Sequence, residues 1–253
     1  MCIRDSFRVG ELVIGECILS RGINSQRQEV GVVNYNGAYG QFIVMPGDYI
    51  HQIPEGLDLK IACLAEPLAV VLRAIRRVKH RLNPEEKIAV IGAGSIGNFC
   101  TQVLLQDGYQ VTVFDKNQER LEFLKDKAKT VSQTLNNLEK FDVIIEATGS
   151  KQVLEQILKE SRTDSTILLL GFPYGSIDYN FEDLVGNEKV IVGSVGAEWE
   201  DFKKALELLP KLDLVPFTQK VLALNSFLDA WNLQRSAKYL KIILKVQKDE
   251  KQQ

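Results

Sequence analysis

The stretch "KIAVIGAGSIGNFC", Lys87 to Cys100, constrains the fold more than any other part of the chain. An apolar run ends in Gly92, Gly94 and Gly97, spaced G-x-G-x-x-G, and a helical pattern begins among them. Between a strand and a helix this spacing has a specific physical use. The first glycine permits a tight turn, the second leaves room for a diphosphate, and the third lets helix and strand pack closely. The helix N-terminus adds backbone N–H groups and a partial positive charge. Ser95 and Ile96 therefore join the three glycines as candidate phosphate contacts.

The surrounding pattern supplies the context. "QVTVFD", "FDVIIEATG" and "STILLLGF" read as apolar strands. "SIGNFCTQVLLQDG", "NQERLEFLKDKA" and "KQVLEQILKES" read as amphipathic helices between them. Such alternation predicts a parallel, doubly wound α/β sheet with helices on both faces. Asp115 ends its strand eighteen positions after Gly97. An acid there accepts hydrogen bonds from an adenosine ribose and repels a 2′-phosphate, so NAD(H) is expected over NADP. Lys116 and Arg120 follow, and leave some NADP tolerance open. Ligands of such sheets bind beyond the C-terminal strand ends, which adds Thr148, Gly149, Gly171 and Phe172 to the cofactor candidates. Asp142 reads as a strand-entry residue rather than a base.

Elsewhere the pattern differs. Residues 7–54 read as short strands and turns, and a helix runs from Lys60 to "RRVKHRL", with Pro67 opening or kinking it. After "VIVGSVG" come a helix "EDFKKALELLP", a strand "PFTQKVLAL", a helix "NSFLDAWNLQRSA", a strand "KYLKIILKV" and a polar tail. The formal net charge of −2 gives no basis for a nucleic-acid partner. No apolar run approaches the length of a membrane span. Cys2, Cys17, Cys63 and Cys100 form no CxxC pair, so reduced, structural cysteines and a cytoplasmic location are expected. His51 and His80 are read as structural or exposed. No Tyr-x-x-x-Lys occurs, which argues against a short-chain dehydrogenase.

Taken in order, "FRVGELVIGE", "GAYGQFIVMPGDYIHQIPEGL", "LAEPLAVVLRAIRRV", "VIGAGSIG", "EATG", "VGSVG" and "KYLKIILKV" resemble the motif series of the medium-chain dehydrogenase/reductase family, in its zinc-dependent polyol, threonine and alcohol dehydrogenase branch. The resemblance implies a Rossmann NAD-binding domain over 68–195. It implies a GroES-like β-rich catalytic domain over 1–67, incomplete here, with 196–253 as the C-terminal return that completes it. It implies hydride transfer between NAD and a secondary alcohol or its ketone, with zinc polarising the alcohol oxygen. It puts Glu66 of the E-P-L segment at that zinc and Lys241 against the cofactor pyrophosphate. It also implies a homodimer or homotetramer, paired through the strand around "KVIVGSVG".

Two departures qualify this. The family's early zinc ligands, a cysteine followed by a G-H-E segment, would precede Phe7, and no Cys…G-H-E arrangement is found there or later. The catalytic residues are therefore expected in an upstream segment, "MCIRDS" is expected to be non-native, and zinc is not expected to be retained by this chain. Only Cys17 remains where relatives carry a structural-zinc lobe. Shortened in this way, the chain is expected to expose apolar surface and to aggregate. The competing reading is a complete, non-catalytic NAD(H)-binding protein of the same fold. A zinc-independent reductase is disfavoured by Glu66-Pro67-Leu68.

Overall fold

The computed structural model describes residues 7–20, 27–128, 130–173 and 175–246. The "MCIRDS" start, part of the polar connection after Ser20, and the tail from residue 247 lie outside the described residues. The chain divides into two compact units, Val70–Val195 and the remainder, Met1–Ala69 with Gly196–Gln253.

The remainder begins with short strands. β1 (Val13–Gly15) pairs antiparallel with β5 (Ile50–Gln52), and β2 (Ile18–Ser20), β3 (Gln28–Val30) and β4 (Asn34–Tyr35) form a three-stranded sheet. The short helix α1 (Leu59–Ala62) is capped by the Asp58 carboxylate, which accepts from Lys60 N–H at 2.8 Å. α2 (Ala65–Val78) follows. Pro67 lies in its first turn, where a missing N–H removes no ladder bond.

The Val70–Val195 unit is built on β6 (Lys87–Ile91), β7 (Gln110–Phe114), β8 (Thr130–Ser132), β9 (Val143–Glu146), β10 (Thr166–Leu169) and β11 (Val190–Gly193). All five pairings are parallel, in the order β11-β10-β9-β6-β7-β8. α3 (Ser95–Gln106), α4 (Gln118–Glu122), α5 (Lys151–Glu160) and α6 (Phe181–Gly186) lie between the strands in sequence. Strand periodicity sorts the core onto two faces. Ala89, Ile91, Phe114, Ile144 and Ile167 pack with Leu154, Ile157 and Leu158 of α5. The opposite face carries α3, since a Cβ at its Gly97 would lie 3.4 Å from a Val90 methyl.

Polar groups fix the sheet's ends. Asp142 accepts from Lys87 N–H at 2.7 Å and pairs with Arg162, so it ties the entries of β6 and β9 together. Lys189, almost fully buried, donates to Asp183 Oδ2 and to the Leu158 carbonyl, each at 2.8 Å, and anchors the start of β11.

The chain then returns through α7 (Trp199–Leu208), α8 (Val215–Thr218), β12 (Val221–Ala223), α9 (Phe227–Arg235) and β13 (Ile243–Lys245), with β12 parallel to β13. Two of these elements differ from expectation, and one strand is new. The helix expected over "NQERLEFLKDKA" stops at Glu122, and bonds such as Leu124 N–H to Leu121 O continue as tighter turns that still bury Leu121, Leu124 and Ala128. The strand expected over "PFTQKVLAL" shrinks to β12, because Pro216 opens the helical turn α8. β8 was not read from the sequence; it is a short edge strand whose three residues give no clear period.

Exposed large apolar residues are frequent before α1: Val9, Val32, Phe42 and Val44 all face solvent. His51 is an exception among the polar residues there. It is buried, bonded to Glu16 at 2.8 Å, and stacked on Trp199 and Phe202 with centroids at 3.9 and 5.0 Å. His51→Ala would remove both stacks and strand a buried carboxylate, at a cost of about 3 kcal/mol. Chemical denaturation should show that loss, together with a change in tryptophan emission.

Candidate dinucleotide site

The site begins where β6 ends. Gly92 adopts a φ of 102°, which turns the chain sharply off the strand. Its N–H donates to Phe114 O at 2.7 Å, so the turn is held by β7. Gly97 is required by contact rather than by torsion. A Cβ there would lie 1.7 Å from the Gly92 carbonyl oxygen, so no other residue allows α3 to start so close to the turn. Gly94 differs: its nearest neighbour would be Arg120 Nη1 at 3.7 Å, an ordinary contact. The face above Gly94 is therefore open. The first ladder bond of α3 runs from Asn98 N–H to Gly94 O at 2.8 Å, so the Ile96 and Gly97 amides precede it. This geometry suits an anion.

Asp115 stands at the end of β7 with its side chain largely buried. Its Oδ2 accepts from Ala93 N–H at 2.7 Å and its Oδ1 from Asn117 N–H at 2.8 Å. The acid thus braces the glycine turn while keeping lone pairs for further donors. Arg120 Nη1 lies 4.0 Å from Asp115 Oδ2, and its buried Nε has no hydrogen-bond partner. Lys116 is exposed. Ala147, Thr148 and Gly149 follow β9, and Gly171 and Phe172 follow β10. A Cβ on Gly92 would meet Thr148 Cγ2 at 2.9 Å and Ala147 O at 3.1 Å. The turns after β6 and β9 therefore touch. Gly92, Gly94, Ser95, Ile96, Gly97, Asp115, Arg120, Thr148, Gly149, Gly171 and Phe172 fall along one edge of one sheet, with Lys116 at its margin. These residues fit a dinucleotide: a turn without side chains, a helix N-terminus, and an acid one strand away.

Glu66 and Lys241 belong to the other unit. Glu66 lies near the start of α2, where burial pushes its carboxyl above the ordinary range and the positive charge of Lys241 partly offsets this. Protein crowds the Cys17 thiol and pushes it up to about 12, with the Glu66 charge acting in the same direction. Cys63 is also raised, by burial first. Among the described residues no group of three or more His, Cys, Asp or Glu side chains could hold a metal ion. A catalytic zinc needs three protein ligands, so the described residues do not fit one. Lys241 lies just before β13, and its charge bears on Glu66, Cys63 and Cys17. Sequence reasoning missed the Glu16–His51 pair, and residues 35 positions apart give no local signal of it. It also missed the bracing contact of Asp115 on Ala93.

Residues 59–245 match the sequence profile of the family described as Glucose dehydrogenase C-terminus. The chain is 26% identical over 229 residues to "Probable D-xylulose reductase A" of Arthroderma otae, a match covering 83% of this chain and 64% of that protein. It is 26% identical over 253 residues to L-threonine 3-dehydrogenase of Aliivibrio fischeri, covering 93% and 73%. In fold it is similar to acetophenone reductase from Geotrichum candidum, solved in complex with NAD, at a TM-score of 0.80 and 17% identity, covering 95% of this chain and 75% of that one. The chain thus spans about two thirds of the length of the first of these relatives. The profile covers most of the chain, and its fold joins a Rossmann sheet to a β-rich, GroES-like unit. On these grounds the chain belongs to the Glucose dehydrogenase C-terminus family of medium-chain dehydrogenases/reductases.

Proposed function

We propose that the chain binds NAD(H) and serves reversible hydride transfer between that cofactor and a secondary alcohol: a polyol, sugar alcohol or amino alcohol. The turn from β6 into α3, with Asp115 at the end of β7, carries the reading. The glycine turn and the helix N-terminus would take the diphosphate, and Asp115 the adenosine ribose. NAD is favoured over NADP because a 2′-phosphate would meet the Asp115 carboxylate. The bound cofactor would supply the hydride acceptor at its nicotinamide ring. The names of the relatives, a xylulose reductase and a threonine dehydrogenase, support the alcohol class.

A second reading is favoured by one observation. Among the described residues no group of three or more His, Cys, Asp or Glu side chains is placed to hold a metal ion. On that reading the chain binds NAD(H) without turning over alcohol. Three measurements on the purified chain separate the two: NADH fluorescence titration, zinc by atomic emission, and NADH formation from NAD with xylitol, sorbitol or threonine. Bound zinc with alcohol-dependent NADH formation supports the first. NADH binding without either supports the second, and no NADH binding removes both.

Two glycine variants test the site itself. Gly94→Ala should keep its melting temperature, because the added methyl meets only Arg120 at 3.7 Å. It should weaken NADH binding about tenfold or more, because the methyl takes the space of the diphosphate. Gly97→Ala should instead lose about 3 kcal/mol of stability, because its methyl overlaps the Gly92 carbonyl.

We further infer a homodimer or homotetramer in the cytoplasm. The free thiols of Cys17, Cys63 and Cys100 suit a reducing compartment. Among the described residues no helix is long and apolar enough to cross a membrane. Among the described strands β11 pairs with β10 alone, and Ile191, Phe181 and Val185 expose apolar surface at this end of the sheet. An open edge of this kind is a template for a second strand. Light scattering should give at least a dimer mass, and Ile191→Lys should shift it to a monomer.

A further inference from the structure

Glu146, the last residue of β9, is fully buried at the edge where the dinucleotide would lie. Its side chain folds back on the turn that follows. Oε1 accepts from Thr148 N–H at 2.6 Å, from Gly149 N–H at 3.0 Å, and from the Thr148 hydroxyl. The Thr148 hydroxyl oxygen in turn accepts from Ser150 N–H at 3.0 Å. Oε2 is buried with no hydrogen-bond partner. An unpaired buried carboxylate oxygen is costly and uncommon in native folds.

The reason for that cost lies in the next turn. A Cβ on Gly171 would fall 2.3 Å from Glu146 Oε2 and 2.2 Å from Gly149 N, so the carboxylate and the first turn fill the space a side chain at 171 would need. Leu170 N–H and Gly171 N–H both donate to the Glu146 carbonyl, at 2.9 and 3.1 Å. One residue thus grips both turns: by its side chain the turn after β9, by its carbonyl the turn after β10. Gly149, at a φ of 69°, is held in its place by the same carboxylate.

Topology says which half of the cofactor this serves. The diphosphate turn follows β6, and Asp115 marks the adenosine side at β7. The sheet order runs β10-β9-β6-β7, so the opposite half of the molecule passes over the turns after β9 and β10. We propose that Glu146 is a positioning residue for the nicotinamide half of the dinucleotide, setting the paired backbone ledge of Thr148–Gly149 and Gly171. Its carboxylate is spent on the protein's own amides, so those N–H groups are withdrawn from the ligand and the ledge keeps one shape.

This role rests on the dinucleotide reading, and the test separates the two. ADP probes the turn after β6 and the Asp115 side alone, whereas NADH probes both halves. Affinities for each are measured by calorimetry on the wild-type chain, Glu146→Ala and Glu146→Gln, with melting temperatures. The expected result is a loss of about tenfold in NADH affinity for the alanine variant, with ADP affinity kept within about twofold. Glutamine keeps an oxygen acceptor for the three donors and should recover most of the loss. Equal weakening of ADP and NADH would make Glu146 a general structural residue and overturn the proposal. Unchanged NADH affinity in both variants would overturn it as well. A wild-type chain that binds ADP but gains nothing from the nicotinamide half would also overturn it, and one that binds neither would remove the dinucleotide reading beneath it.

Discussion

The approach of α3 to the end of β6 is the contact on which the Val70–Val195 unit depends. A carbonyl and a helix N-terminus come so near that only hydrogen fits between them at Gly97. That approach points the amides of α3 at the sheet edge and draws Ala93 within reach of Asp115. Once β6 and α3 are locked, β7 and β9 are placed beside them by parallel pairing, and the turns after β6 and β9 come into contact. The core beneath is ordinary apolar packing from both faces. What distinguishes the edge is that glycine and backbone, not side chains, make its floor.

The same edge shows how acids can be used as structure. Asp115 and Glu146 each end a strand, and each bends back to accept backbone N–H groups from a neighbouring turn. Asp142, at the opposite end of β9, does the same for Lys87. Three carboxylates therefore shape the loops around the sheet through charge-assisted hydrogen bonds, which are about twice as strong as neutral ones. Only Asp115 stands where a ribose would also reach it.

Glu66 answers to different physics. Burial raises its carboxyl above the ordinary range, and the Lys241 charge partly offsets this. The resemblance assigned Glu66 to a metal and Lys241 to a pyrophosphate. Within the described residues the Lys241 charge also bears on Glu66.

By itself the sequence determined the α/β class, the glycine turn, Asp115 and the strand–helix alternation. These rest on short-range periodicity and on torsions that few residues adopt, so they are written locally. It misread the end of α4 and the extent of β12, where i→i−3 turns and a proline-led helical turn bury apolar residues at spacings that regular elements would also use. It was silent on β8, whose pairing with β7 supplies what three residues cannot signal. The tertiary structure alone decided the partners of Glu146 and Glu16. Those are contacts between turns and side chains brought together by packing, and packing across many residues leaves no period in the chain for a reader to find.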